Sequence, residues 1–104
     1  MARFDVYPNP SASERRVTPY FLDVQNDFID GLETRVVIPL RRAAAFGNRV
    51  RDLNPELSFA GVALVLDTAA LGAVPTADLR KVVGELKDQR SAVLDALDVL
   101  FGSF

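Results

Sequence analysis

The chain contains neither cysteine nor histidine. Without cysteine there are no disulfides and no thiolate chemistry, and nothing ties the protein to an oxidising compartment. The lack of histidine removes more. It excludes His-assisted serine or cysteine triads, an imidazole general base and a histidine zinc site. Any catalysis would rest on Asp, Glu, Arg, Lys, Tyr, Ser or Thr, and little is left to hold a transition metal. No cofactor is expected. The N-terminus lacks a charged segment followed by an apolar run, and no stretch approaches the length of a membrane span, so a cytoplasmic protein without membrane contact is expected.

The chain has 104 residues, 49% hydrophobic and 25% charged, a globular composition that suits one domain over residues 1–104. Its net charge of −2 disfavours broad electrostatic capture of nucleic acid. A local basic patch is still available where Arg35, Arg41, Arg42, Arg49 and Arg51 crowd the middle.

Alternation in RFDVY (3–7) predicts a first strand, and two prolines among small polar residues predict a loop over 8–18. Residues 20–25 and the β-branched 35–40 read as further strands. Pro39 lacks an N–H and is expected at a strand end or sheet edge. Ala43 to Phe46 suggest a short helix or turn stopped by Gly47-Asn48. Residues 57–68 read as two strands around Ala60-Gly61, and 68–79 as a connection broken by Gly72 and Pro75. A helix is expected from about Leu79, firmly from Gly84, to the C-terminus. Leu86, Val93, Leu97, Leu100 and Phe104 form its core-facing stripe. Strands first and one helix last predict an α+β, mainly β domain: an antiparallel sheet or small barrel with a terminal helix packed on it.

The acids Asp23, Asp27 and Asp30 invite a metal or acid–base reading. Their spacing fails the calcium-loop pattern of alternate oxygen ligands with glycine at the sixth position. A working acid–base pair would need one carboxyl in an apolar pocket, which spacing leaves open. The preferred reading places Asp27 and Asp30 in a strand-to-strand connection, bonding local backbone. Between them, Phe28 and Ile29 either fold back into the core or present an apolar contact to a partner. Asp95 and Asp98 fall at the negative end of the terminal helix dipole, unfavourable by about 0.3–1 kcal/mol each. No Lys or Arg follows Arg90. Either Arg41 or Arg42 approaches that end, or it attracts a cationic partner. Phe101 and Phe104 either dock in the core or add aromatic surface to a binding tip.

The stretch PYFLDVQNDFIDGLETRVVIPL (19–40) closely resembles the signature of CcdB toxins of CcdA–CcdB toxin–antitoxin modules. The opening RFDVY, the AVP at 73–75 and the terminal LDVLFGSF match in order and spacing. The resemblance implies a twisted antiparallel sheet of the SH3-like, MazF-type barrel with a small accessory sheet and a C-terminal helix. It also implies a homodimer and a poison that binds the A subunit of DNA gyrase and traps it on cleaved DNA. A CcdA-like antitoxin would neutralise it. By position, gyrase contacts fall on Phe28, Ile29, Asp98, Phe101, Gly102, Ser103 and Phe104, with no catalytic and no metal residues. The chain departs from the best-known pattern at its end. A tryptophan is expected where Gly102 stands, and glycine and isoleucine where Ser103 and Phe104 stand. Phe101 or Phe104 would then supply a cation–π contact instead. A MazF-like ribonuclease on the same barrel, using Arg35, Thr34 or Thr68, is one alternative. A homologue with altered or lost gyrase binding is the other.

Overall fold

The computed structural model describes residues 1–29 and 31–102. Seven strands and one helix follow in order: β1 (Asp5–Pro8), β2 (Tyr20–Asp23), β3 (Thr34–Arg42), β4 (Glu56–Phe59), β5 (Val62–Leu66), β6 (Gly72–Pro75), β7 (Gly84–Glu85) and α1 (Arg90–Phe101). All pairings are antiparallel, in the order β4-β5-β3-β2-β1-β7, with β6 also on β3. The result is a curled half-barrel sheet with a C-terminal helix, α+β and mainly β, as the sequence pattern predicts.

Alternation along the strands sends successive side chains to opposite faces. Phe4, Val6, Leu22, Ile38, Leu40, Leu64 and Leu66 form the main core, joined by Leu86 and by Val93 and Ala96 of α1. Each fully buried Leu or Val contributes about 1.5–3 kcal/mol. On the opposite face Tyr7, Val37 and Leu79 make a smaller cluster with Phe21 and Val74. That face also holds Asp23 and Arg35, both buried.

Four sequence expectations are corrected. Pro39 lies inside the central strand, opposite Phe21 of β2. On its other flank β3 pairs β6 through Val37 and β5 from Leu40 onward. The Pro39 carbonyl accepts Asp67 N–H on that flank (3.1 Å), and a residue's N and O point the same way in a strand. The missing donor therefore faces the gap between two partner strands, where no ladder bond is lost. Gly72–Pro75, expected as a broken connection, is the strand β6, a small accessory strand paired with β3.

The terminal helix begins at Arg90, not at Leu79 or Gly84. Val82 and Val83 are β-branched and suit extended backbone, and Gly84 packs so closely that a Cβ there would stand 2.5 Å from the Phe59 ring. The chain instead runs along β1, with Val83 N–H donating to Val6 O (2.9 Å). Leu86 joins the core from just before the helix, Leu97 and Leu100 are only half-buried, and Phe104 lies outside the described residues. Gln89 closes the outer edge of β4, its side-chain amide accepting Ser58 N–H (3.0 Å) and donating to Ser58 O (2.8 Å). Finally, the strand predicted over 20–25 ends at Asp23, where the chain turns into the acidic connection.

The Ala60-Gly61 turn is as predicted. Both residues have positive φ, 51° and 76°, and two such residues between paired Phe59 and Val62 match the hairpin twist. Alanine is strained there, whereas asparagine visits this conformation readily. Ala60→Asn should raise stability by about 0.5 kcal/mol, measured as a higher urea midpoint with an unchanged slope.

Candidate partner-binding surface

β2 ends at Asp23 and β3 begins at Thr34, so the acidic connection leaves the centre of the sheet. Asp23 is fully buried beside Arg35. Arg35 Nε donates to Asp23 Oδ2 (2.9 Å), and Nη2 lies 2.7 Å from the same oxygen, in ion-pair contact but outside hydrogen-bond geometry. Gln25 N–H donates to Asp23 Oδ1 (3.0 Å). Burial raises the Asp23 pKa, against the lowering effects of the Arg35 and Gln25 hydrogen bonds. The acid is thus structural, tying β2 to β3.

The same group of residues reaches into the connection. Gln25 Oε1 accepts Val36 N–H (3.0 Å), while Gln25 Nε2 and Arg35 Nη1 both point at the Ile29 carbonyl, at 3.4 and 3.5 Å. Asn26 supplies the turn, its side chain accepting Phe28 N–H (2.9 Å) and its carbonyl accepting Ile29 N–H (3.1 Å). Asp27 does not bond its local backbone as expected. Its Oδ1 accepts Arg3 N–H across the sheet (2.5 Å), and Arg3 Nε donates to Val24 O (3.1 Å). Asp30 lies outside the described residues. With the backbone of 24–29 held from both sides, the apolar side chains turn outward: Phe28 is 96% exposed and Ile29 45%.

At the other end of the chain, α1 finishes at Phe101, which is 69% exposed. Asp98 is exposed, and its carbonyl accepts Gly102 N–H (2.9 Å). Gly102 has φ +72° and stops the helix in the left-handed conformation, a task for which glycine carries no Cβ penalty. A tryptophan at this position would adopt that backbone only with strain. Ser103 and Phe104 lie outside the described residues. Arg41 and Arg42, one of the two alternatives for the acidic end of the helix, are used elsewhere. Arg41 binds Asp67 (2.6 Å) and Thr18 Oγ1 (2.6 Å), and Arg42 Nε donates to Arg16 O (3.0 Å).

One groove, about 520 Å³, joins these two regions. Val24, Gln25 and Asn26 line it from the acidic connection, Leu97 and Phe101 from the helix, and Arg3, Val36 and Leu71 between them. Of the residues singled out from the sequence as contacts, Phe101 lines this groove and Phe28 and Ile29 lie just beyond its Asn26 wall; Arg3, Leu71 and Leu97 were not anticipated. Arg3 and Leu71 carry no local signal, and Leu97 was assigned wholly to the core stripe.

A model of the family described as CcdB protein matches residues 3–102. The chain belongs to the CcdB family. Its members are toxins of toxin–antitoxin modules that act by binding rather than by catalysis. The residues considered for a ribonuclease do not form an assembly in this CcdB-family chain. Arg35 is bound to Asp23, and buried Thr68 donates its hydroxyl to Leu53 O (2.5 Å). Thr34 is exposed at the start of β3. Among the described residues, no three carboxylates gather to hold a metal ion, and no helix is long and apolar enough to cross a membrane.

Two outcomes test the buried polar face of this CcdB-family chain. Arg35→Met would leave Asp23 buried without its counter-charge, and should cost about 3–5 kcal/mol in chemical unfolding. Tyr7 is buried on the same face, and its hydroxyl has no hydrogen-bond partner among the described residues. Burial, then the charges of Asp5 and Asp23, push its pKa up to about 12 from 10.0. The folded protein therefore keeps a proton that the unfolded chain loses. Stability should fall as pH rises from about 10 through about 12, with a matching late phenolate transition in near-UV titration. Tyr7→Phe should abolish both effects and raise neutral-pH stability by up to about 1 kcal/mol.

Proposed function

We propose that this protein is the toxin of a type II toxin–antitoxin module that binds the A subunit of DNA gyrase and traps gyrase on cleaved DNA, with a CcdA-like antitoxin neutralising it. The observation that carries the proposal is the exposed Phe101 on an apolar groove whose other wall is residues 24–26, with the exposed Phe28 two residues further along that same connection. A protein seldom leaves two large aromatic side chains this exposed without a partner for them. Aromatic anchors of this kind dominate binding energy at protein interfaces.

The contact set is Phe28, Ile29, Asp98, Phe101, Gly102, Ser103 and Phe104, the last two of which lie outside the described residues. Phe101 takes the place of the tryptophan of the best-known members and stacks on a partner arginine. Asp98, near the negative end of the α1 dipole, favours the same cationic group. The active species is a homodimer, and the mechanism is binding, with no bond made or broken by the toxin.

Binding of the purified protein to a gyrase A fragment, and accumulation of cleaved DNA in a gyrase reaction, test this reading directly. Phe28→Ala and Phe101→Ala should each weaken gyrase A binding by about tenfold or more. Their unfolding free energies should stay within about 0.5 kcal/mol of the parent, because both side chains are exposed. Absence of gyrase A binding by the unmodified protein would refute the proposal.

A further inference from the structure

Of the five arginines that left a basic patch available, three are drawn into ion pairs: Arg35 with Asp23, Arg41 with Asp67 and Arg49 with Glu56. Cations gather instead at a place that spacing along the chain does not suggest. Arg15 from the β1–β2 loop meets Arg80 and Lys81 from the segment before β7, around a cleft of about 350 Å³. Pro8 and Pro10 form its stiff wall, and Asp78 is its one acid. None of these residues lines the groove described above.

The cleft is held in shape before any ligand arrives. Asn9 is buried, its amide donating to Thr18 O (2.9 Å) and its Oδ1 accepting Ser11 N–H (2.9 Å). Arg15 Nε donates to the Asn9 carbonyl (2.6 Å), so the guanidinium is anchored by one edge and keeps its Nη pair for another acceptor. On the opposite side, buried Leu79 fixes the backbone just before Arg80 and Lys81. Among the described residues, neither Arg80 nor Lys81 has an ion-pair partner. Three cations against one acid make the cleft positive in a chain whose net charge is −2.

We propose that this cleft binds a small phosphate monoester carrying a hydroxyl or amino donor. The phosphate sits between Arg15, Arg80 and Lys81, where a guanidinium fork and an ammonium match its oxygens. The hydroxyl or amino group donates to Asp78. The volume suits a compact ligand. A long polyanion fits less well, because the stiff proline wall confines the site and Asp78 and the overall negative charge repel a continuous phosphate backbone. The inference is independent of gyrase binding, which uses the other surface.

The test is an amide-resolved NMR titration of the full chain with AMP, inorganic phosphate, adenosine and a short DNA duplex, at constant ionic strength. AMP should give saturable shifts centred on residues 9–15 and 78–81, with phosphate weaker and adenosine weaker still. The double variant Arg80→Gln, Lys81→Gln should weaken AMP by about tenfold or more, since hydrogen bonds to charged groups are at stake. Its unfolding midpoint should be unchanged, because both side chains are exposed. Asp78→Asn should strengthen inorganic phosphate and narrow the advantage of AMP over it. The proposal is overturned if AMP shifts nothing saturably, if adenosine matches AMP, or if the DNA duplex binds more tightly than AMP.

Discussion

Strand β3 hydrogen-bonds along one flank to β2 and along the other to β6 and then β5. The acidic connection and the strands around it take their positions from this shared pairing. The change of partner around Pro39 lets one nine-residue strand serve two neighbours end to end. β2 then delivers the acidic connection at one end of β3, and the main core beneath seats α1 through Val93 and Ala96. Residues 24–26 of the connection and Leu97 and Phe101 of the helix thereby line the same groove.

The Asp23–Arg35 pair extends that constraint from the sheet to the surface. An ion pair withdrawn from water costs several kcal/mol in desolvation and is weak evidence for net stability. Here the residues around it also hold the Ile29 carbonyl and the Val36 amide through Gln25. The connection is therefore built on a buried, geometrically demanding anchor. Phe28 can be almost wholly exposed without the backbone beneath it being loose. The strain that the fold accepts lies nearby: Phe4, a buried aromatic residue, has φ +74°, with its N–H bonded to Asp23 O (2.7 Å) and its carbonyl to Leu86 N–H (2.9 Å). Such backbone costs of order 1–3 kcal/mol and persists where its surroundings determine it from several sides.

Charge is divided by location. Arginines on or beside the central strands are used internally, two of them on carboxylates that the fold brings from distant parts of the chain. Three of the remaining cations, Arg15, Arg80 and Lys81, belong to loops at the β1–β7 side of the sheet, where they surround a small cleft. The apolar groove and the basic cleft are thus chemically opposite surfaces on one small domain. Each is rigid because its backbone is tied to buried residues.

Fold class was legible in the sequence because period-two alternation in 3–7, 20–25 and 35–40 and the Ala60-Gly61 turn are local consequences of backbone geometry. The absence of cysteine and histidine likewise limited the chemistry without reference to shape, and the stretch from 19 to 40 carried the family. What the sequence did not determine were the features set by contact. Val82 to Glu85 read as helix, yet they form extended structure because β1 offers an unpaired edge and Phe59 fills the space beside Gly84. Pro39 read as an edge residue, because only the end-to-end placement of β5 and β6 creates a gap for its missing N–H. Phe28 and Phe101 could equally have been core residues. Their exposure is decided by how the acidic connection and the last turn of α1 seat on the sheet. The meeting of Arg15 with Arg80 and Lys81, some 65 residues apart in the chain, likewise follows from β1 and β7 lying side by side. Periodicity reports which face a side chain prefers; only the folded sheet decides what stands opposite it.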